Sequence, residues 1–119
     1  MLNLVFNGNL GSAPEARTVQ VNGEEIAVTS FNVAVDNGKN AAGQALPPTW
    51  IRVSVWRNYA RVCEQYLKRG MAVSIVSERI KTSAYIDKEG NAAATLEVSA
   101  RSVDFSMNRR DDRDEQVPF

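Results

Sequence analysis

Thr49-Trp50-Ile51-Arg52-Val53-Ser54-Val55-Trp56 runs directly into Arg57-Asn58-Tyr59-Ala60-Arg61-Val62-Cys63-Glu64-Gln65-Tyr66-Leu67-Lys68-Arg69-Gly70. The first eight residues alternate with period two, the pattern of a half-buried strand. Ile51, Val53 and Val55 fall on one side, and Trp50, Arg52, Ser54 and Trp56 on the other. The residues that follow change period: apolar side chains at 59, 62, 63, 66 and 67 have the spacing of an amphipathic helix. Asn58 stands where an N-cap is wanted, Lys68 and Arg69 suit the negative end of the helix dipole, and Gly70 is a natural stop.

Working outward from this junction, the rest of the chain is period two. Residues 2–12 read as a strand running into Gly8 and Gly11, and 16–21 as a short extended piece that ends at the hairpin signal Asn22-Gly23. Residues 25–36 alternate, with Ile26 and Val28 in one phase and Phe31, Val33 and Val35 in the other, which predicts a bulge between them. Residues 37–48 are loop by composition, with Lys39 as their one charge. Residues 71–86 form a long strand with a second change of phase, from Met71, Val73 and Ile75 to Ile80, Thr82, Ala84 and Ile86. A turn at 87–91 leads to the last strand, 93–105. Five long strands with one helix between the third and fourth describe an all-β chain with a single helix. That order is the one of a five-stranded OB-fold Greek-key barrel, with bulges supplying the curvature that closes it.

At 119 residues the chain is long enough for one domain with one core. No apolar run approaches the roughly 20 residues needed to span a bilayer, and the N-terminus reads as mature sequence without a leader. A single cysteine, Cys63, excludes an intrachain disulfide framework and fits a reducing compartment. The absence of histidine removes the commonest general base and metal ligand. With no paired carboxylates at metal spacing either, an enzyme is not expected, nor is a metal or cofactor.

The chemistry lies in the polar side of 49–56. A strand that needed only solubility has no reason to place two tryptophans there around an arginine, since indole is the side chain with the most apolar surface to bury. On the fourth strand, Arg79, Lys81, Ser83 and Tyr85 share the side opposite Ile80 and Thr82, given the bulge. Aromatic rings interleaved with cations suit single-stranded nucleic acid: bases stack on rings and Lys or Arg neutralises phosphates. The alternative for Trp50 and Trp56 is packing under the helix or at a subunit interface. Tyr59, Tyr66 and Cys63 lie on the helix's apolar stripe and read as core.

The last nine residues, Asp111-Asp112-Arg113-Asp114-Glu115-Gln116-Val117-Pro118-Phe119, carry a charge of −3, against 13 basic and 10 acidic residues in 1–110 of a neutral chain. The segment has little to bury and is expected to stay unfolded in water. It ends on an apolar tip that suits a basic pocket on another protein. The other reading is a solubilising tail.

These residues together resemble the bacterial-type single-stranded DNA-binding proteins. The likeness covers 1–106: Gly8-Asn9-Leu10-Gly11 with Pro14-Glu15 and Arg17, then Phe31 and Ala34, Thr49-Trp50 with Arg52 and Trp56, Ala60, Tyr66, Leu67 and Gly70, and the hairpin around Asp87, Gly90, Asn91, Thr95 and Glu97. It resumes at Val117-Pro118-Phe119. The resemblance implies an OB-fold DNA-binding domain over 1–106 and a short linker with an acidic partner-binding tail over 107–119. It also implies a cytoplasmic, nucleoid-associated homotetramer that binds single-stranded DNA without sequence preference in replication, recombination and repair. Trp50, Trp56 and Tyr85 would stack on bases, and Arg17, Arg52 and Lys81 would meet phosphates, with Arg79 and Lys39 as further cations. Asp111, Asp112, Asp114, Glu115, Val117, Pro118 and Phe119 would recruit replication and repair proteins. The chain departs from the family at Ile51, where many members carry histidine, and in the few residues between body and tip, where they carry a long spacer. A second reading is a primosome-type OB module for protein interaction with weak nucleic-acid binding.

Overall fold

A computed structural model describes residues 1–108. The strands are β1 (Leu4–Leu10), β2 (Glu15–Val21), β3 (Glu24–Val35), β4 (Thr49–Trp56), β5 (Ala72–Ile86) and β6 (Ala92–Asp104), with α1 (Arg57–Tyr66) between β4 and β5 and a 3-10 turn at Ser106–Asn108. β1 and β2 together form the first barrel strand, interrupted at residues 11–14, so the expected five-stranded barrel appears as six segments. Pro14 and Gly11 lie in that interruption: proline withholds a ladder N–H, and glycine is free to bend.

The sheet runs β1-β5-β6-β4-β3-β2 and closes because β1 also pairs with β3, through Asn9 opposite Ala34 and Leu10 opposite Val33. Closure rests on a glycine. A Cβ on Gly8 would collide with the backbone carbonyl of Ala34 and the side chain of Val33, so any other residue would hold β1 off β3. β4 and β6 pair in parallel and the other ladders are antiparallel. The β2–β3 turn, Asn22-Gly23, has positive φ at both residues (54° and 80°). This is the backbone that Asn-Gly accommodates in a two-residue hairpin.

The bulge expected on 25–36 is absent: β3 pairs with β4 from Val28–Trp56 to Val35–Thr49 without a slip. The change of apolar phase has another cause. Phe31 and Val33 belong to the barrel core, whereas Ile26 and Val28 are buried outside that cluster, on the opposite side of the strand. Val28 stands between Arg17 of β2 and Trp56 of β4. The bulges lie on β5–β6, with slips between Val76 and Ser77 and between Glu78 and Lys81. Arg79 takes a left-handed φ of 57° within the second. Beyond it, both sides of the β5–β6 arm are exposed from Lys81 to Ile86.

The core gathers Leu10, Phe31, Val33, Ile51, Val53, Val55, Val73, Ile75, Val98, Val103 and Phe105, closed at one end by Cys63 and Leu67. α1 is tied to the strands by polar contacts as well as packing. Thr29 Oγ1 donates to the Ala60 carbonyl at 2.7 Å, and the Tyr59 hydroxyl accepts from Val103 N at 2.7 Å. The Tyr66 ring stacks on Phe105 at 6.3 Å. Both expected helix ends are corrected. The helix starts straight from the strand, with Trp56 as an extended N-cap and no side-chain cap from Asn58. It stops at Tyr66, because Leu67 turns extended (φ −81°, ψ 143°) to bury its side chain in the core. Lys68, Arg69 and Gly70 therefore lie past the helix, where Gly70 N donates to the Leu10 carbonyl. The packed body reaches Asn108, whose amide exchanges hydrogen bonds with both backbone groups of Ala72.

Cys63 is fully buried, and desolvation pushes its thiol up from 9.0 to about 12. It should resist a thiol-specific reagent at pH 8 in the folded protein and react at once in denaturant. Because the folded value lies above the unfolded one, this site's contribution to stability is complete below pH 9 and declines as pH rises through about 12. Urea midpoints measured from pH 8 to 12 check this, with Cys63→Ala as the comparison; rapid labelling of the folded protein at pH 8 would contradict it.

Candidate nucleic-acid interface

Alternation on β4 sends Ile51, Val53 and Val55 into the core and leaves Trp50, Arg52, Ser54 and Trp56 outside. The ladders extend that outer face in both directions. Ser30 and Asn32 of β3 pair with Ser54 and Arg52. Glu97 and Ser99 of β6 pair with Arg52 and Ser54. On β5, Lys81 pairs with Glu97, Ser83 with Thr95 and Tyr85 with Ala93. Directly paired residues share a face, so Asn32, Arg52, Glu97 and Lys81 form one row across four strands. A second row runs Ser30, Ser54, Ser99.

The aromatics on this face are available. Trp50 is 53% exposed, Trp56 36% and Tyr85 49%. The two tryptophans stand six positions apart along β4, about 20 Å at the usual strand rise. Trp50 is seated by Gly11, where a Cβ would strike the Cζ3–Cη2 edge of the indole; the absence of a side chain leaves room for that edge against the backbone. Trp56 leans the other way, its Nε1 donating to Ser99 Oγ at 3.4 Å. Tyr85 stands farther out on the β5–β6 arm.

The cations are oriented by neighbours. Arg52 Nη2 lies 3.5 Å from Glu15 Oε1, and its Nη1 donates to Asn32 Oδ1 at 3.5 Å. Arg17 Nη1 donates to Ser30 Oγ at 3.1 Å, and Ser30 Oγ lies 3.3 Å from Ser54 Oγ. Exposed pairs of this kind contribute about 0–1 kcal/mol, so a phosphate oxygen can replace Glu15 at little cost.

The structure thus brings Trp50, Arg52, Trp56, Lys81 and Tyr85 onto one face, with Arg17 at its β2 border. Arg79 is not placed there by the ladder. It occupies the bulge between Glu78 and Lys81 and has no partner on β6. Lys39 sits in the loop beyond the Trp50 end of β3 and β4, where it bridges Ala45. Asp111, Asp112, Asp114, Glu115, Val117, Pro118 and Phe119 lie outside the described residues. Among the described residues, no group of three or more His, Cys, Asp or Glu side chains could hold a metal ion.

Three participants were not legible as such in the sequence. Gly11 appears there as part of a motif but not as the seat of Trp50. Glu15 appears as a motif residue but not as the partner of Arg52. Glu97 alternates with the core residues Leu96 and Val98, which puts it outside, but the parallel β4–β6 pairing that sets it beside Arg52 is a long-range fact.

The sequence profile of the single-strand binding protein family matches residues 1–106. A protein named single-stranded DNA-binding protein 4, from Streptococcus agalactiae serotype V, is 34% identical over 116 residues, spanning 97% of this chain and 80% of that one. A single-stranded DNA-binding protein of Halalkalibacterium halodurans is 36% identical over 106 residues, 88% of this chain and 61% of its own. One of Bifidobacterium longum is 32% identical over 107 residues, 84% of this chain. The match covers 46% of that relative, so the chain spans about half its length.

Both glycine contacts can be tested. Gly8→Ala meets a backbone carbonyl that cannot move aside and should cost about 2–3 kcal/mol, whereas Gly11→Ala meets an exposed ring that can swing away and should cost about 1 kcal/mol. Only Gly11→Ala should shift the folded protein's tryptophan emission to the red. Equal losses of stability, or unchanged emission in Gly11→Ala, would show that the indole is not seated there.

Proposed function

Because the chain belongs to the single-strand binding protein family, whose members bind DNA and are not enzymes, we propose that its outer β4–β6–β5 face coats single-stranded DNA in replication, recombination and repair. The observation that carries this is the pair of exposed indoles flanking Arg52 on one sheet surface. Bases stack on Trp50, Trp56 and Tyr85, and the phosphates between them meet Arg52, Lys81 and Arg17, with Arg79 and Lys39 as peripheral cations. Stacking serves every base, so binding is broadly indifferent to sequence.

The chain acts as a homo-oligomer, a homotetramer in this reading. Support comes from β1, which pairs with β3 only through Asn9 and Leu10, so on the side away from β5 its edge from Leu4 to Gly8 has no strand beside it among the described residues. Leu2 and Val5 are 68% and 71% exposed next to that edge. An unpaired strand edge with apolar neighbours favours pairing with another chain. Residues 107–119 serve as linker and tail, with the acidic 111–119 recruiting replication and repair proteins through Val117-Pro118-Phe119. The setting is the cytoplasm, at the nucleoid. Among the described residues, no helix is long and apolar enough to cross a membrane.

The second reading, a primosome-type protein-interaction module, draws on the neutral net charge and on Glu15 already engaging Arg52. Titration with oligo(dT) separates the two. Tryptophan fluorescence should be quenched, affinity should fall steeply with salt, and Trp50→Ala should weaken binding about tenfold or more. An unaffected Trp50→Ala protein would favour the second reading. Native mass measured with and without a long oligo(dT) should give four chains in both states, and a monomer in both would remove the tetramer.

A further inference from the structure

Glu97 is half-buried at the centre of the proposed DNA face, with Arg52 opposite it on β4 and Lys81 opposite it on β5. Its carboxylate makes no hydrogen bond or ion pair with either, or with any other described residue. Arg52 turns instead to Glu15 and Asn32. A carboxylate is a poor neighbour for phosphates, since it repels the anion its flanking cations attract. It is acceptor-only when ionised, so a ligand that satisfies it must bring N–H donors.

The adjacent ring supplies the geometry. Ser99 lies two residues along β6 on the same face, and the Trp56 indole is drawn onto it by its Nε1. A base stacked on Trp56 therefore has β6 at its edge, with Glu97 next in line. Among the four bases only guanine offers two adjacent donors there, N1–H and the N2 amino group, matching the two oxygens of a carboxylate. Thymine offers a single N3–H between two carbonyls, which face the carboxylate as like poles. Cytosine and adenine each offer one amino group beside an acceptor. Hydrogen bonding to such edges is how splayed, unstacked bases are read.

We infer that Glu97 is a base-reading residue, which accepts the N1–H and N2 amino group of a guanine stacked on Trp56 and so gives an otherwise indifferent surface a local preference for guanine. This rests on the DNA-binding reading above. Glu97 does not drive binding; it sets which base is best tolerated at one position. The same carboxylate lowers affinity for thymine-only DNA, because there it faces carbonyls and phosphates with nothing to accept.

The test uses the full chain and three oligonucleotides of equal length: oligo(dT), the same strand with interspersed dG, and one with deoxyinosine at those places. Inosine keeps the ring and N1–H but lacks the N2 amine. The dG strand should bind about fivefold tighter than oligo(dT), the lower end of what a bidentate base contact discriminates, and the inosine strand should lose most of that gain. In Glu97→Gln, nearly isosteric, the dG preference should collapse while oligo(dT) affinity rises. A dG preference that persists in Glu97→Gln, or that inosine retains in full, would assign it to stacking and overturn the inference. So would equal binding of dG and dT strands by the unaltered protein. If oligo(dT) and dG strands both fail to bind, it is the DNA-binding reading that fails.

Discussion

The two-residue repeat of β4 is the constraint on which the rest depends. Ile51, Val53 and Val55 must face inward to complete a core shared with Phe31, Val33 and Val98. Strand alternation leaves no other place for Trp50, Arg52, Ser54 and Trp56 than the outer surface. A slip of one residue would bury an arginine and two indoles and expose three aliphatic side chains. Core packing and presentation of the site are therefore one physical fact, and the hydrophobic effect enforces the orientation of groups that gain nothing from it directly.

Barrel closure turns this one strand into a surface. Contacts far apart in sequence meet there: Gly8 lets β1 approach β3, Gly11 leaves room for the edge of the Trp50 indole, and the β5–β6 bulges carry Lys81 and Tyr85 onto the side already occupied by Arg52. The left-handed backbone at Arg79 is part of this. One extra residue on β5 changes which side chains face outward, so the alternation that begins with a buried Val73 and Ile75 ends with an outward Lys81, Ser83 and Tyr85. The bulge trades one cation's place in the ladder for the correct facing of the next.

Acidic and basic groups are interleaved on the face. Glu15 and Asn32 hold Arg52, and Ser30 holds Arg17. Such exposed contacts are weak enough to exchange, so the guanidinium groups are oriented in advance without being withheld. Among the described residues of this face, the carboxylate that neither orients a cation nor faces open solvent is Glu97, and its position asks for a donor from outside the protein.

Much of the fold could be read along the chain. The β4–α1 junction announced itself by a change of period, the Asn22-Gly23 turn by its residues, and the parity of 49–56 by strict alternation. The errors came where local signals competed with the core. Asn58 and Gly70 are good cap residues, yet the strand runs to Trp56 and Leu67 pulls the chain extended to bury itself. Sequence alone determined which residues of β4 would sit on which side, because strict alternation depends only on neighbours two apart; on β3 the same kind of pattern predicted a bulge that the unbroken ladder with β4 excludes. Tertiary structure alone decided which sides of different strands lie together: the parallel pairing of β4 with β6, the seat of Trp50 on Gly11 and the row Asn32–Arg52–Glu97–Lys81. Those depend on register between segments up to 65 residues apart (Asn32 and Glu97), and register is set by how the whole barrel closes and packs, not by any local pattern.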